Sequence, residues 1–150
     1  SKSVAVGSTG LTVAKIKSAA ALLDKDEVPI EDRYFLAHTN GKEILLADST
    51  TSSTDYMNVK SLVGGDIDTF YGFKFIWIGN RSEGGLNLTS TTRKNFAFHK
   101  QALGYAQNME VLSRRDWDAM KGADLVQTYF SANAIAIDTD GIVQVNTKEA

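Results

Sequence analysis

One proline, Pro29, stands in 150 residues, and its position constrains the fold more than any other feature of the chain. It lies in the run Leu22-Leu23-Asp24-Lys25-Asp26-Glu27-Val28-Pro29-Ile30-Glu31-Asp32-Arg33-Tyr34-Phe35-Leu36, between an Ala/Leu-rich stretch and a short apolar one. Proline has no amide hydrogen and a fixed φ, and its ring drives the preceding residue out of the helical region. Val28 is therefore expected to be extended, with any helix ending before it. The stretch reads as helix, charged turn, proline stop and then a strand entered through Arg33 and Tyr34. It contains no catalytic constellation.

Upstream of that stop, Val13, Ile16, Ala20 and Leu23 recur at helical spacing, with Thr12 as the N-cap and Leu11 placed to staple onto Ile16. The helix is expected to end near residues 24–26. Residues 1–10 are small and polar and read as an extended lead-in. Downstream, residues 34–38 read as a strand, and Asn40 with Glu43 three residues on opens a short helix through Leu46. Residues 48–55 are almost all Ser and Thr and read as a surface loop, followed by a short helix over 56–63 and the Gly64-Gly65 break. Residues 72–78 form the clearest strand, with Phe73, Phe75 and Trp77 on one face. A second polar loop covers residues 79–92. From Lys94 to Gln107 extended structure is favoured, with a helical alternative over 101–109. Residues 110–122 fit either a short helix or strand-turn-strand. A strand over 125–137, the turn Asp138-Thr139-Asp140-Gly141 and a return strand over 142–145 read as a terminal hairpin. The fold class is α+β, a few helices on a mixed or antiparallel sheet, expected as a single compact unit over 1–150.

Composition removes several function classes. The net charge is −2, so there is no general electrostatic pull toward nucleic acid or an anionic membrane. With no cysteine, disulfides and thiolate metal sites are excluded. The two histidines, His38 and His99, have no carboxylates at metal-ligand spacing. No apolar run approaches the ~18 residues of a membrane span. The hydrolase nucleophile elbow and the phosphate-binding loop are both missing, and Asp138-x-Asp140-Gly141 lacks the further ligands of a calcium loop. The acid–base candidates are Asp66 with Asp68, two residues apart, and His99 among Phe96, Phe98 and Lys100; no nucleophile accompanies them. Asp66 and Asp68 read more simply as solvated charges and His99 as a structural histidine. Trp77, Trp117, Tyr105 and the phenylalanines serve equally as core or as subunit contacts.

Several segments, in order, resemble one family. Leu11-Thr12-Val13 opens a helix running to Leu22-Leu23-Asp24, followed by Val28-Pro29 and Arg33-Tyr34. Then come Val63-Gly64-Gly65, Tyr71-Gly72-Phe73, the run Phe98-His99-Lys100-Gln101-Ala102-Leu103-Gly104-Tyr105-Ala106, and a terminal turn through Gly141 and Val143. Over residues 9 to 148 this resembles the C-terminal half of tailed-bacteriophage and prophage major capsid proteins of the Hong Kong 97-type fold. The resemblance implies an axial domain with peripheral-domain strands and helices, and a structural role tiling an icosahedral shell. It implies no catalysis and no cofactor. Its partners would be copies of itself in hexamers and pentamers, with scaffold or portal proteins besides, and neither a membrane nor a specific nucleic-acid sequence. The location implied is the virion capsid, reached by assembly in the bacterial cytoplasm. The family's N-terminal arm, extended loop and spine helix are not found in this sequence.

Loops on a rigid scaffold are where interaction surfaces concentrate. The expected subunit contacts are therefore Ser49, Thr51, Ser53 and Asp55 in the first polar loop, and Asn80, Arg81, Glu83, Asn87 and Arg93 in and beside the second. Two other readings stay open. One is a phage tail, baseplate or carbohydrate-binding module, which calls for a concave aromatic pocket. The other is a hydrolase using Asp66, Asp68 or His99.

Overall fold

The computed structural model describes residues 2–47, 69–81 and 84–149. The expected loop over 48–55, the helix over 56–63, Gly64-Gly65 and the acid pair Asp66 and Asp68 lie outside the described residues. Helix α1 (Val13–Lys25) starts at the N-cap Thr12, whose carbonyl accepts the amides of Lys15 and Ile16 while its hydroxyl makes no cap bond. The helix is closed by backbone geometry as well as by Pro29. The Val28 amide reaches the Leu23 carbonyl at 3.1 Å and the Glu27 amide that of Asp24 at 3.0 Å, the two bonds of a Schellman cap. Glu27 holds the left-handed position (φ 55°) that glycine normally takes, at a cost of roughly 1–2 kcal/mol.

The proline turn is then locked from the strand that follows. Arg33 opens β2 (Arg33–His38) and is buried. Its Nε donates to the Pro29 carbonyl at 2.9 Å, its Nη2 to the Val28 carbonyl, and its Nη1 pairs with Asp24 at 2.7 Å. Lys15 performs the same service for the lead-in. Its buried ammonium donates to the carbonyls of Val6 (2.7 Å), Thr9 (2.6 Å) and Asn146 (3.1 Å), and burial lowers its pKa. Residues 2–4 are thereby held as β1 (Lys2–Val4), which pairs parallel with β9 (Ile142–Lys148).

Helix α2 (Thr39–Ala47) follows β2 as expected. The remaining strands are β3 (Thr69–Phe70), β4 (Phe73–Ile78), β5 (Leu88–Thr89), β6 (Thr92–His99), β7 (Leu103–Asp118) and β8 (Ala123–Ala136). A mixed sheet runs β1-β9-β6-β2-β4-β3, with β5 on β6. Its core face is Phe35 and Ala37 from β2, Phe73 and Phe75 from β4, Ala97 from β6, and Val143 and Val145 from β9, packed with Leu11, Ile16, Ala19, Ala20, Leu23 and Leu45. β6 defies its own sequence pattern. Its buried face carries Arg93, Asn95, Ala97 and His99, while Phe96 and Phe98 sit half-buried on the other face. Pairing sets this: Phe35 stands opposite Ala97, so bulk from β2 meets a small residue on β6.

The terminal segment corrects the hairpin expectation. β8 pairs with β7 in a separate two-stranded sheet, and β9 pairs with β6 and β1, so the Asp138–Gly141 turn joins strands of different sheets. The helical alternatives over 101–109 and 110–122 also give way to strand β7 and its turn. A single compact unit was expected, but the chain divides into residues 1–102 with 138–150, and residues 103–137. Glycine 141 is required by proximity: a Cβ there would stand 2.7 Å from the Cβ of Ala102, which cannot move aside. Gly141→Ala is therefore expected to destabilise the first unit by about 1–3 kcal/mol by overpacking. In an open turn the same change would be neutral or stabilising, and a denaturant titration distinguishes the two.

Candidate interaction surfaces

At one end of the sheet, loop and C-terminal residues form a polar cluster under the helix start. Arg93 grips Glu149 through two bonds, Nε to Oε1 at 2.9 Å and Nη2 to Oε2 at 2.7 Å, and donates to the Leu86 carbonyl at 2.8 Å. His38 precedes α2: its Nδ1 lies 3.2 Å from the Asn40 amide nitrogen and 3.3 Å from Glu149 Oε1, and its Nε2 lies 3.0 Å from Asn80 Oδ1. Asn95 accepts the His38 amide (3.1 Å) and donates to Thr147 Oγ1 (2.9 Å). Every buried side-chain N or O atom among the described residues has a partner.

Glu149 is the titrating member of this cluster. The hydrogen bond from Arg93 holds its carboxyl below the usual glutamate range against the opposing effect of burial, with the Arg93 and His38 charges and an Asn40 hydrogen bond adding to it. A carboxyl whose folded pKa is depressed contributes stability above its unfolded pKa and loses it as the pH falls through the folded one. Stability of the first unit is therefore expected to hold above the ordinary glutamate pKa of about 4.3 and to fall as the pH drops below it, with a shallower fall in Glu149→Gln, read as denaturation midpoints across an acid series.

The cluster decides what the expected contact residues can do. Arg93 is spent inside the fold. Asn80 is exposed yet holds His38, while Arg81 and Asn87 are exposed. Ser49, Thr51, Ser53, Asp55 and Glu83 lie outside the described residues, as do Asp66 and Asp68. His99 is buried on β6 and accepts the Gln101 amide at Nδ1 (3.3 Å).

The second unit is a larger surface that the sequence reading did not single out. β7 and β8 form a two-stranded antiparallel ribbon of 16 and 14 residues, with register shifts between Gln107 and Leu112. At about 3.3 Å per residue its longer strand spans about 50 Å. Cross-strand partners share a face, which places Leu103 and Tyr105 with Ala134 and Ala136 on one side, and Gly104 and Ala106 with Ile135 on the other. Toward the turn, Leu112, Tyr129 and Leu125 share one face, and Val126 and Trp117 the other. All of these large side chains are exposed, Tyr105 at 66% and Trp117 at 65%. Of the two uses left open for the aromatics, burial within the chain fails for Trp117 and Tyr105. The readable signal was apolar residues at both odd and even positions of long strands, the pattern of a sheet covered on both faces.

A family model described as phage capsid protein matches residues 1–149. The chain belongs to that family. Its fold is similar to a solved structure from Mycobacterium phage Che8 (TM-score 0.77, 19% identity, 96% of this chain and 52% of that one). It is also similar to the capsid structure of the cyanophage P-SCSP1u (0.67, 16%, 99% and 53%) and to the encapsulin SrpI complex of Synechococcus elongatus (0.66, 16%, 97% and 52%). The chain thus spans about half the length of these capsid-fold proteins, and the expected Hong Kong 97-type fold is the one observed. No curated protein matches the sequence.

Proposed function

We propose that this phage capsid family chain works as part of a structural shell subunit, without catalysis or cofactor, and that many copies close an icosahedral shell through capsomer contacts. The observation that carries this is the β7–β8 ribbon. A two-stranded sheet has no interior and is marginal alone in water, and exposed apolar side chains on both faces call for covering partners. In this reading the mixed sheet and its helices are the axial domain with peripheral-domain strands. The exposed Asn80, Arg81 and Asn87, with Glu83 and the residues of 48–55, then contribute lateral contacts, and Arg93 does not. The protein would reside in the virion capsid after assembly in the host cytoplasm, with scaffold or portal proteins as further partners. Apart from Tyr71, the exposed aromatics of the described residues, Tyr105, Trp117, Tyr129 and Phe130, lie along the ribbon, which favours this reading over a carbohydrate-binding module. The test is to express the complete reading frame and image the product by electron microscopy. Closed shells of uniform size are expected; a soluble monomer overturns the proposal.

A further inference from the structure

Two adjoining clefts meet at His99. One is lined by Pro29, Glu31, Asp32, His99, Lys100 and Gln101. The other shares Pro29, His99 and Gln101 and adds Asp26, Glu27 and Asp138 among its walls. Asp26 is paired with Lys2, Asp32 with Lys74 at 2.9 Å, and Asp138 accepts the Asp140 amide at 2.9 Å. Glu27 and Glu31 are exposed and their carboxylates have no hydrogen-bond or ion partner among the described residues, so the cleft keeps an acidic character despite Lys100.

His99 presents a hydrogen-bond donor to this acidic cleft. The residue is only 8% exposed, and its Nδ1 is engaged by Gln101, which leaves the proton of the neutral ring on Nε2. That Nε2 has no partner among the described residues, and no buried side-chain nitrogen there lacks one, so the N–H opens into the cleft. Ile30 stands between the lining residues Pro29 and Glu31, is exposed, and lies against Gly72, where a Cβ would be 3.5 Å from its Cγ2; the exposed Tyr71 precedes that glycine. The cleft therefore offers an N–H donor, two free carboxylates and an apolar rim. Its complement is a turn with an open carbonyl, a cation and an apolar side chain.

The chain carries such a turn. At the tip of the ribbon, Asp118 accepts the Met120 amide at 3.0 Å and Asp124 pairs with Arg115, so two of the local carboxylates are used internally. Met120 is 99% exposed, and Lys121 and Arg114 have no ion partner among the described residues. Gly122 takes φ 61°, which shapes the turn.

We propose that the 118–122 turn of one copy docks in the Pro29–His99 cleft of a second copy, Met120 against Ile30 and Tyr71, Lys121 against Glu27 and Glu31, and a turn carbonyl on His99 Nε2–H. Such a contact is heterologous: each copy offers a tip to one neighbour and a cleft to another, the arrangement that forms rings when its rotation closes. The inference rests on the shell-subunit reading and names one of its contacts.

The chain has no cysteine, which makes disulfide trapping clean. A Glu31→Cys chain mixed with a Lys121→Cys chain under mild oxidation is expected to give a mixed dimer, at least about tenfold over Lys121→Cys mixed with Ser18→Cys on the outer side of α1. Equal yields overturn the inference. Charge reversal supplies the second arm. Glu31→Lys and Lys121→Glu should each weaken self-association in sedimentation, and carrying both in one chain should restore it; no loss, or a loss without rescue, counts against docking. Both cysteines placed in one complete reading frame separate the two readings. Uniform shells whose subunits stay uncrosslinked sink this contact and leave the shell role standing, whereas a frame that forms no shells sinks the shell role.

Discussion

Phe35→Ala is expected to remove about 3–5 kcal/mol from the first unit, the largest effect of any single truncation. Phe35 is fully buried at the centre of the sheet, edge-on to Phe73 (centroids 5.7 Å apart) and stacked on Phe75 (5.1 Å), which stacks in turn on Trp77 (5.2 Å). Alanine leaves a cavity that the opposing Ala97 is too small to fill. Since a domain of this size is held by only about 5–15 kcal/mol, the variant should unfold at much lower denaturant. Trp77 reports on this unit and Trp117 on the other, so the measurement belongs in a Trp117→Phe background. Phe98→Ala, on the half-buried face against Tyr34 (5.9 Å), should cost clearly less. Equal costs would mean that the face assignment of β6 is wrong.

Arg33→Met comes second, at about 2–4 kcal/mol, and works by a different route. The methionine keeps most of the apolar stem but strips from the carbonyls of Val28 and Pro29 their one donor among the described residues. Little of the cost comes from Asp24, whose carboxylate is largely in water and can be resolvated. The Val28 amide, bonded to Leu23, should lose hydrogen-exchange protection ahead of the sheet. If Asp24→Asn costs as much as Arg33→Met, the ion pair and not the carbonyl bonds holds the turn.

The elements legible in the residues were those governed by local rules. α1 follows from its apolar spacing and from the Pro29 stop; β2, α2 and β4 follow from short periodic runs with clear breaks. The failures share one cause. Asp138-Thr139-Asp140-Gly141 carries the composition of a hairpin turn, but composition cannot say which strands a turn connects, and here β9 joins β6 and β1. Gly141 is set by the nearness of Ala102, a residue 39 positions earlier, which no local pattern records. Arg93, placed beside a polar loop, read as a surface cation until Glu149 was found folded back against it.

Chain chemistry alone settled the α+β class, the early helix and its stop, and the exclusion of thiolate chemistry, because propensity, proline sterics and residue identity act within a few residues. Long-range pairing settled the rest. It turned the phenylalanines of β6 away from the core and paired β7 with β8 as a ribbon with two apolar faces. It also brought Pro29, Glu31 and His99 to the walls of one cleft. A strand's exposed and buried faces depend on what lies opposite, and only the assembled sheet supplies that.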